Sequence, residues 1–350
     1  MQNLFGSAGC SGLVVGGEDG RLRLQRKGPG SFEDRALTLA EVARLYYLED
    51  FTQERIARRL GFSRSNVSRM LKEARESGLV EIRIRSPLEV ADGVGRELRS
   101  RLGLRECLVL ASSRRGASGD FRGDLGAFGA GYLREKISDG DVVGIGWSSA
   151  VYDVVRSGRL HEKNGVTVVQ LIGSLGGAVP DLDGASIAGG LARALGAREY
   201  FLQAPILVAD ASVREGLLRD LHISRTLELA RKADIAVVGV GTINRDSGQY
   251  RAGYLDDADL EHIGRRGAIG EICGSYFTRE GDPVPLEMEA RTISLGREDL
   301  VRVPIRVGMG WGAKKALANI GAARSGILNV LITDEATARE MLEILDAEQG

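Results

Sequence analysis

The sequence predicts an α/β protein in two parts, a small helix-turn-helix (winged-helix-like) domain followed by a larger Rossmann-like α/β domain. Three observations predict it. Short amphipathic helices joined by a tight turn fill Leu37–Ser77. From Leu88 onward, apolar runs alternate with helical stretches, the pattern of a parallel sheet covered on both faces. A chain of 350 residues that is 43% hydrophobic is also long enough for two cores, at roughly 100–200 residues per domain.

Taken in order, residues 1–34 are rich in Gly, Ser and charge without apolar periodicity and read as a disordered leader. The first domain spans 35–87. Its first helix starts near Leu37 and ends near Asp50, with Leu39, Val42, Ala43 and Tyr46 on one face. Thr52 caps a second helix that turns Ile56, Ala57 and Leu60 inward. Gly61 breaks the chain, and Ser63 caps a third helix running to about Ser77, with Val67, Met70, Leu71 and Ala74 inward. Leu79–Arg85 alternates apolar and charged residues as a half-exposed strand does, and Pro87 ends the module.

The second domain spans 88–350. Strands are expected at Cys107–Ala111, Asp141–Gly146, Val166–Gly173, Glu199–Ala204, Asp234–Gly241, Val303–Val307 and Leu328–Thr333. Helices are expected at Phe121–Ile137, Ser149–Ser157, Ala185–Leu195, Thr226–Lys232, Ala313–Ala323 and Glu335–Leu345. Glycines gather at strand ends such as Gly144, Gly146, Gly173, Gly239 and Gly241, which suits tight β-to-α turns.

Composition narrows the function. Three cysteines, Cys10, Cys107 and Cys273, are widely spaced and give neither a disulfide framework nor a CxxC pair. None of the three histidines, His161, His222 and His262, has metal-ligand spacing, so neither a metal nor a cofactor is expected. No stretch is long and apolar enough for a membrane span, and Met1–Gly20 lacks the features of an export signal, so the expected location is the cytoplasm.

Net charge is −1, but Arg35–Pro87 holds eleven Lys/Arg against seven Asp/Glu, and the basic residues crowd the second and third helices. A helix that enters the DNA major groove needs short polar or long basic side chains on its exposed N-terminal turns. Arg64, Ser65, Asn66, Ser68, Arg69 and Lys72 meet that demand, while Thr52 and Gln53 are placed for phosphate contacts. The competing reading is a solvated basic face on a protein-interaction module. The stretch LYYLEDFTQERIARRLGFSRSNVSRMLKEARESGLV, from Leu45 to Val80, closely resembles the N-terminal domain of the SorC family of sugar-binding transcriptional regulators.

In the second domain, the strand ending at Gly146 delivers Gly-Trp-Ser-Ser-Ala into a helix N-terminus. There free N–H groups favour an anion, and the Ser148 and Ser149 hydroxyls add donors. Plain turn geometry is the alternative. Two further strand ends, QLIGSLGG from Gln170 and VGVGT from Val238, carry Gly173, Ser174, Gly241 and Thr242 toward the same carboxyl edge, where ligands bind in such sheets. GAIGEIC from Gly267 offers the Glu271 carboxylate, and Lys314 and Lys315 open a helix; an ordinary solvated helix lysine is the alternative for Lys315.

These segments also resemble the SorC family, so the resemblance runs from Leu37 to Leu345. It implies a sensor related in fold to ribose-5-phosphate isomerase and glucosamine-6-phosphate deaminase. It further implies a phosphorylated sugar or polyol effector, double-stranded operator DNA as partner, and assembly as a homodimer or homotetramer. Carried over by position, Gly146, Ser148 and Ser149 hold phosphate, Glu271 meets hydroxyls and Lys315 lies at the pocket. Where Trp-Gly followed by a Thr-containing turn is usual in the family, this chain has Trp147, Ser148, Ser149 and Ala150, and where an Asp is usual it has Glu271.

An enzyme of sugar-phosphate isomerisation or deamination is the rival class. Its chemistry needs a positioned acid/base. GVGTINRDSG, from Gly239, has no His and only Asp246, and Asp181 and Asp183 read as a turn and helix cap, so no catalytic residue is assigned. A sensor of an unphosphorylated sugar or polyol is the third reading.

Overall fold

A computed structural model of the protein describes residues 32–80, 90–111, 121–175 and 183–348. The chain divides into two compact units, Met1–Arg85 and Ser86–Gly350. The expected leader up to residue 31, the expected strand beyond Val80 with its stop at Pro87, and Asp181 lie outside the described residues.

The first unit is three helices, α1 (Phe32–Tyr47), α2 (Gln53–Leu60) and α3 (Arg64–Glu76). Each helix start is written locally. The Thr52 hydroxyl accepts the Arg55 amide at 3.2 Å, and Ser63 Oγ accepts the Asn66 amide at 3.2 Å. Val42, Leu45, Ile56, Ala57, Val67 and Leu71 close the core between the helices. Helix α1 starts at Phe32 rather than Leu37 and takes in the last three residues of the expected leader. Its apolar stripe marks only the packed part from Leu39 onward, because Arg35 and Leu37 are exposed.

The second unit opens with α4 (Asp92–Leu102), β1 (Glu106–Leu110), α5 (Phe121–Lys136), β2 (Val142–Ile145), α6 (Ser149–Arg156), β3 (Thr167–Gln170), α7 (Gly184–Leu195) and β4 (Arg198–Tyr200). It continues with α8 (Ala211–Leu218), α9 (Leu221–Ala230), β5 (Ile235–Gly239), β6 (Gly241–Thr242), α10 (Gly248–Arg251), α11 (Asp257–Arg265), β7 (Gly270–Ile272) and β8 (Ser275–Phe277). Last come α12 (Glu287–Arg291), α13 (Arg297–Leu300), β9 (Ile305–Met309), a 3-10 turn (Ala313–Lys315), α14 (Ala316–Arg324), β10 (Val330–Asp334) and α15 (Glu335–Ala347).

Seven strands form one parallel sheet in the order β1-β10-β9-β5-β2-β3-β4. Alternation along the strands divides the core in two. Ile235, Val237, Val330 and Ile332 pack with Leu125, Leu133, Val151 and Leu191 from α5, α6 and α7. Ala236, Val238 and Leu331 face Leu98, Ala318, Ile320, Met341 and Leu345 from α4, α14 and α15 on the other side.

All seven expected strands and six expected helices are present with shifted ends. Strand β9 starts at Ile305 rather than Val303, since Pro304 has no N–H to give a ladder. Helix α9 starts at Leu221, capped by the Asp220 carboxylate, five residues before the expected Thr226. Lys314 and Lys315 lie in a 3-10 turn ahead of α14 rather than inside it. Helices α4, α8 and α10–α13 and the small antiparallel sheet β6-β7-β8 were not anticipated; they are too short, or too weakly periodic, to announce themselves.

Two candidate sites, one in each unit

In the first unit, Thr52, Arg64, Ser65, Ser68, Arg69 and Lys72 are exposed, while Gln53 and Asn66 are half-buried. The packing of Val67, Leu71 and Ala74 inward leaves α3 no other face to present. Arg69 donates from its guanidinium to the Asn66 side-chain oxygen. Ser63 and Ser65 share a hydroxyl hydrogen bond of 2.9 Å. Lys72 is paired with Glu76 at 3.6 Å on the outer surface. Arg55 lies over the Phe51 ring, 3.9 Å from its centroid, and so fastens the start of α2 to the turn before it. A polar, basic surface thus runs along α3 and the N-terminus of α2, with its backbone fixed by two caps.

The second site follows from strand order. After β2 the chain crosses to β3 on one side, whereas after β5 it goes to β9 on the other, so a crevice opens at the carboxyl ends of β2 and β5. A cavity of about 350 Å³ lies there, within the roughly 300–1,000 Å³ usual for small-molecule sites. Trp147, Ser148 and Ser149 enter it after β2, Gly239 at the end of β5 with Val240 to Thr242 behind it, and Trp311 to Lys315 after β9. Asn244, Asp246, Ser247 and Arg251 line it from the stretch that follows β6.

Ser148 caps α6, its Oγ accepting the Val151 amide at 3.0 Å. The first turn of a helix has N–H groups without intrahelical partners, and the α6 turn stands at the wall of the cavity. Glu271 arrives by a route local patterning does not reveal: β7 pairs with β6 so that Glu271 faces Gly241. A Cβ on Gly241 would lie 2.2 Å from Glu271 Oε1, so only glycine leaves the carboxylate its place. The carboxylate accepts the Gly274 amide at 3.0 Å.

Burial raises the Glu271 pKa, against the Gly274 hydrogen bond and the Lys315 charge, which both lower it. Burial lowers that of Lys315, with Glu271 acting the other way. Lys315 donates to the Val240 carbonyl. Lys314 and Asp246 pair at 2.9 Å across two of the loops and favour each other's charged forms, the hydrogen bond being the main cause. The cavity therefore offers a helix N-terminus, two ammonium groups, a guanidinium, two carboxylates and two indoles, a set suited to a polyhydroxylated anion.

Of the residues expected here, Ser148, Ser149, Gly241, Thr242, Glu271 and Lys315 meet at the cavity. Gly146, Gly173 and Ser174 do not line it. Gly146 is buried one residue deeper, beside Val238 and Cys273. Gly173 and Ser174 follow β3, which lies outside β2 and so one strand away from the crevice. There the Gly173 amide donates to the Ile293 carbonyl, and Ser174 Oγ is 3.2 Å from the Gln170 amide nitrogen. The expectation that all three strand ends converge is corrected for this one.

Sequence reasoning passed over Trp311, Asn244, Ser247 and Arg251 as site residues. A signal existed for one of them: Trp147 and Trp311, the chain's two tryptophans, each follow a glycine at a strand end. His161, His222 and His262 are exposed and line no part of the cavity. Among the described residues no helix is long and apolar enough to cross a membrane.

A family model described as "Putative sugar-binding domain" matches residues 87–343, and one described as "Sigma-70, region 4" matches residues 38–77. The chain is 32% identical over 308 residues to the deoxyribonucleoside regulator of Bacillus subtilis (strain 168), covering 87% of this chain and 97% of that protein. It is 28% identical over 312 residues to the sorbitol operon regulator of Klebsiella pneumoniae, covering 87% and 97%. Its fold is similar to the crystal structure of the full-length sorbitol operon regulator SorC from K. pneumoniae, with a TM-score of 0.66, 27% identity, and coverage of 88% of this chain and 99% of that one.

Proposed function

We propose, from the premise that this chain belongs to the SorC family of sugar-binding transcriptional regulators, that the cavity at the ends of β2, β5 and β9 takes a phosphorylated sugar or polyol and that its occupancy controls operator binding by α2 and α3. The observation that carries the ligand class is the pairing, in one cavity, of the α6 N-terminus and Lys315 with the Glu271 carboxylate. Phosphate is recognised by backbone N–H groups, hydroxyls and cations. Sugar hydroxyls donate to a carboxylate. Both kinds of group are present, and Trp147 and Trp311 add apolar walls.

On the DNA side, Arg64, Ser65, Asn66, Ser68, Arg69 and Lys72 read or hold the major groove, with Thr52 and Gln53 on phosphates. The domain that does so spans 35–87 and the effector domain 88–350. One such module covers one half-site, so a homodimer or homotetramer is the functional species, acting in the cytoplasm where the DNA is. A ligand that changes DNA affinity must bind two states of that assembly unequally.

Thermal unfolding of the full chain with paired free and phosphorylated sugars and polyols tests this reading, because a ligand of the native state raises the midpoint. A rise with a phosphate and none with its unphosphorylated parent supports it. A rise with free polyols alone, or with none of the panel, overturns the phosphate assignment.

A further inference from the structure

The loop Gly310–Lys315 carries Trp311, Lys314 and Lys315 to the cavity, yet it is held from behind by side chains that line no part of it. The Gly310 carbonyl accepts the Asn319 amide at 2.9 Å and the Thr333 hydroxyl at 2.6 Å. Two residues on, the Gly312 amide donates to Asp334 Oδ2 at 2.8 Å. Asn319 and Thr333 are fully buried, and Asp334 is 1% exposed. Asp334 ends β10 and caps α15, with Oδ1 accepting the Thr337 amide at 2.9 Å and Oδ2 the Thr337 hydroxyl at 2.5 Å.

Gly312 has φ of 95°, a conformation that glycine adopts freely and L side chains rarely do, so the bend of the loop depends on this residue. Its carbonyl accepts the Lys315 amide at 2.8 Å, so the bend at Gly312 also sets where the Lys315 backbone starts its turn. A buried carboxylate satisfied by three donors is held firmly, because losing a donor leaves a lone pair unmatched away from water.

We infer that Asp334 is the positioning residue of this cavity: through Gly312 it fixes the loop that presents Trp311 and Lys315, and it ties that loop to the first turn of α15. The same carboxylate serves loop and helix, so the two move together. Helix α15 in turn packs Met341 and Leu345 into the core cluster that holds Leu98 and Leu102 of α4, and Asp346 pairs with Arg101 of α4 at 2.5 Å. That this loop holds an effector rests on the proposed function; its support by Asp334 does not.

The test uses no ligand. In full-length protein carrying Trp147→Phe, Trp311 is the sole tryptophan. Asp334→Asn keeps the cap oxygen for Thr337 but sets an amide donor against the Gly312 N–H. It is expected to raise acrylamide quenching of Trp311 about twofold and shift its emission to the red, as local opening does, with far-UV circular dichroism unchanged. Thr337→Val removes a donor from the same carboxylate while leaving the Gly312 contact. It is expected to lower the unfolding midpoint and leave Trp311 quenching unchanged.

Equal quenching changes in the two variants, or none with Asp334→Asn, overturn the inference. If Asp334→Asn does not fold, hydrogen exchange on the unaltered chain decides. A slow Gly312 amide in an otherwise exposed residue supports the contact, and exchange at the rate of an unstructured peptide overturns it.

Discussion

Trp147 and Trp311 line one cavity from two strand ends, the first after β2 and the second after β9. The chain has no other tryptophan, so tryptophan emission, excited selectively at wavelengths the tyrosines do not absorb, reports on that cavity. A ligand that raises the unfolding midpoint is expected to change the emission, and Trp147→Phe and Trp311→Phe are each expected to reduce the amplitude of that change. A midpoint rise with silent fluorescence in titrations of the unaltered chain would place the ligand elsewhere.

Arg69 donates to the Asn66 side chain, so the two are coupled on the exposed face of α3 that is proposed to meet DNA. Arg69→Ala is expected to weaken operator binding about tenfold to a hundredfold, as loss of a base or phosphate contact does, and to flatten the salt dependence if the contact is to phosphate. Gel-shift titration at several salt concentrations reads both effects. Unchanged affinity would remove Arg69 from the interface.

Ser149 opens α6 at the cavity wall. Ser149→Asp places a carboxylate where the phosphate is proposed to sit, and like charges repel. The expected result is operator binding within about twofold of the unaltered chain when no ligand is present and no response to the phosphorylated ligand, since the substitution blocks the ligand and leaves the side chains of α2 and α3 unaltered. Retained induction in a reporter assay would show that phosphate sits away from α6.

Gly241→Ala is the sharpest steric test. Its Cβ would meet the Glu271 carboxylate at 2.2 Å, with backbone pairing holding both residues in place. Overpacking of this kind costs about 1–3 kcal/mol. Part of it is expected as a lower unfolding midpoint and part as a fall in ligand affinity, measured by calorimetry. Gly264→Ala, where a Cβ meets nothing within 4 Å, serves as the control.

Burial raises the Glu271 pKa above its ordinary value of 4.5, so the folded protein binds this proton more tightly than the unfolded chain does. Stability from that preference is present below the unfolded value and is lost as pH rises through the folded one. Glu271→Gln removes the titration. Its unfolding midpoint is therefore expected to gain on the parent as pH is raised from about 4.5 toward neutrality. A difference that is flat across this range would mean that Lys315 and the Gly274 amide fully offset the burial.

What the sequence by itself determined is what short-range physics decides. Thr52 and Ser63 cap their helices with amides three residues ahead, and Val67, Leu71 and Ala74 turn one face of α3 inward, which leaves Arg64, Ser65, Ser68 and Arg69 outside. The apolar runs of β2, β5 and β10 are likewise legible, because a strand buried on both faces needs an unbroken run. Strand order has no such local signature. Only the tertiary structure decided that β5 and β9 lie on the open side of β2 and β3 on the other, which brings Trp311 and Lys315 to Ser149 and leaves Gly173 and Ser174 outside. The same holds for Glu271, delivered by a three-residue strand, and for Asp334, whose partner Gly312 is 22 residues away in the chain. Those contacts depend on which faces bury together, a property of the whole domain that neighbouring residues do not encode.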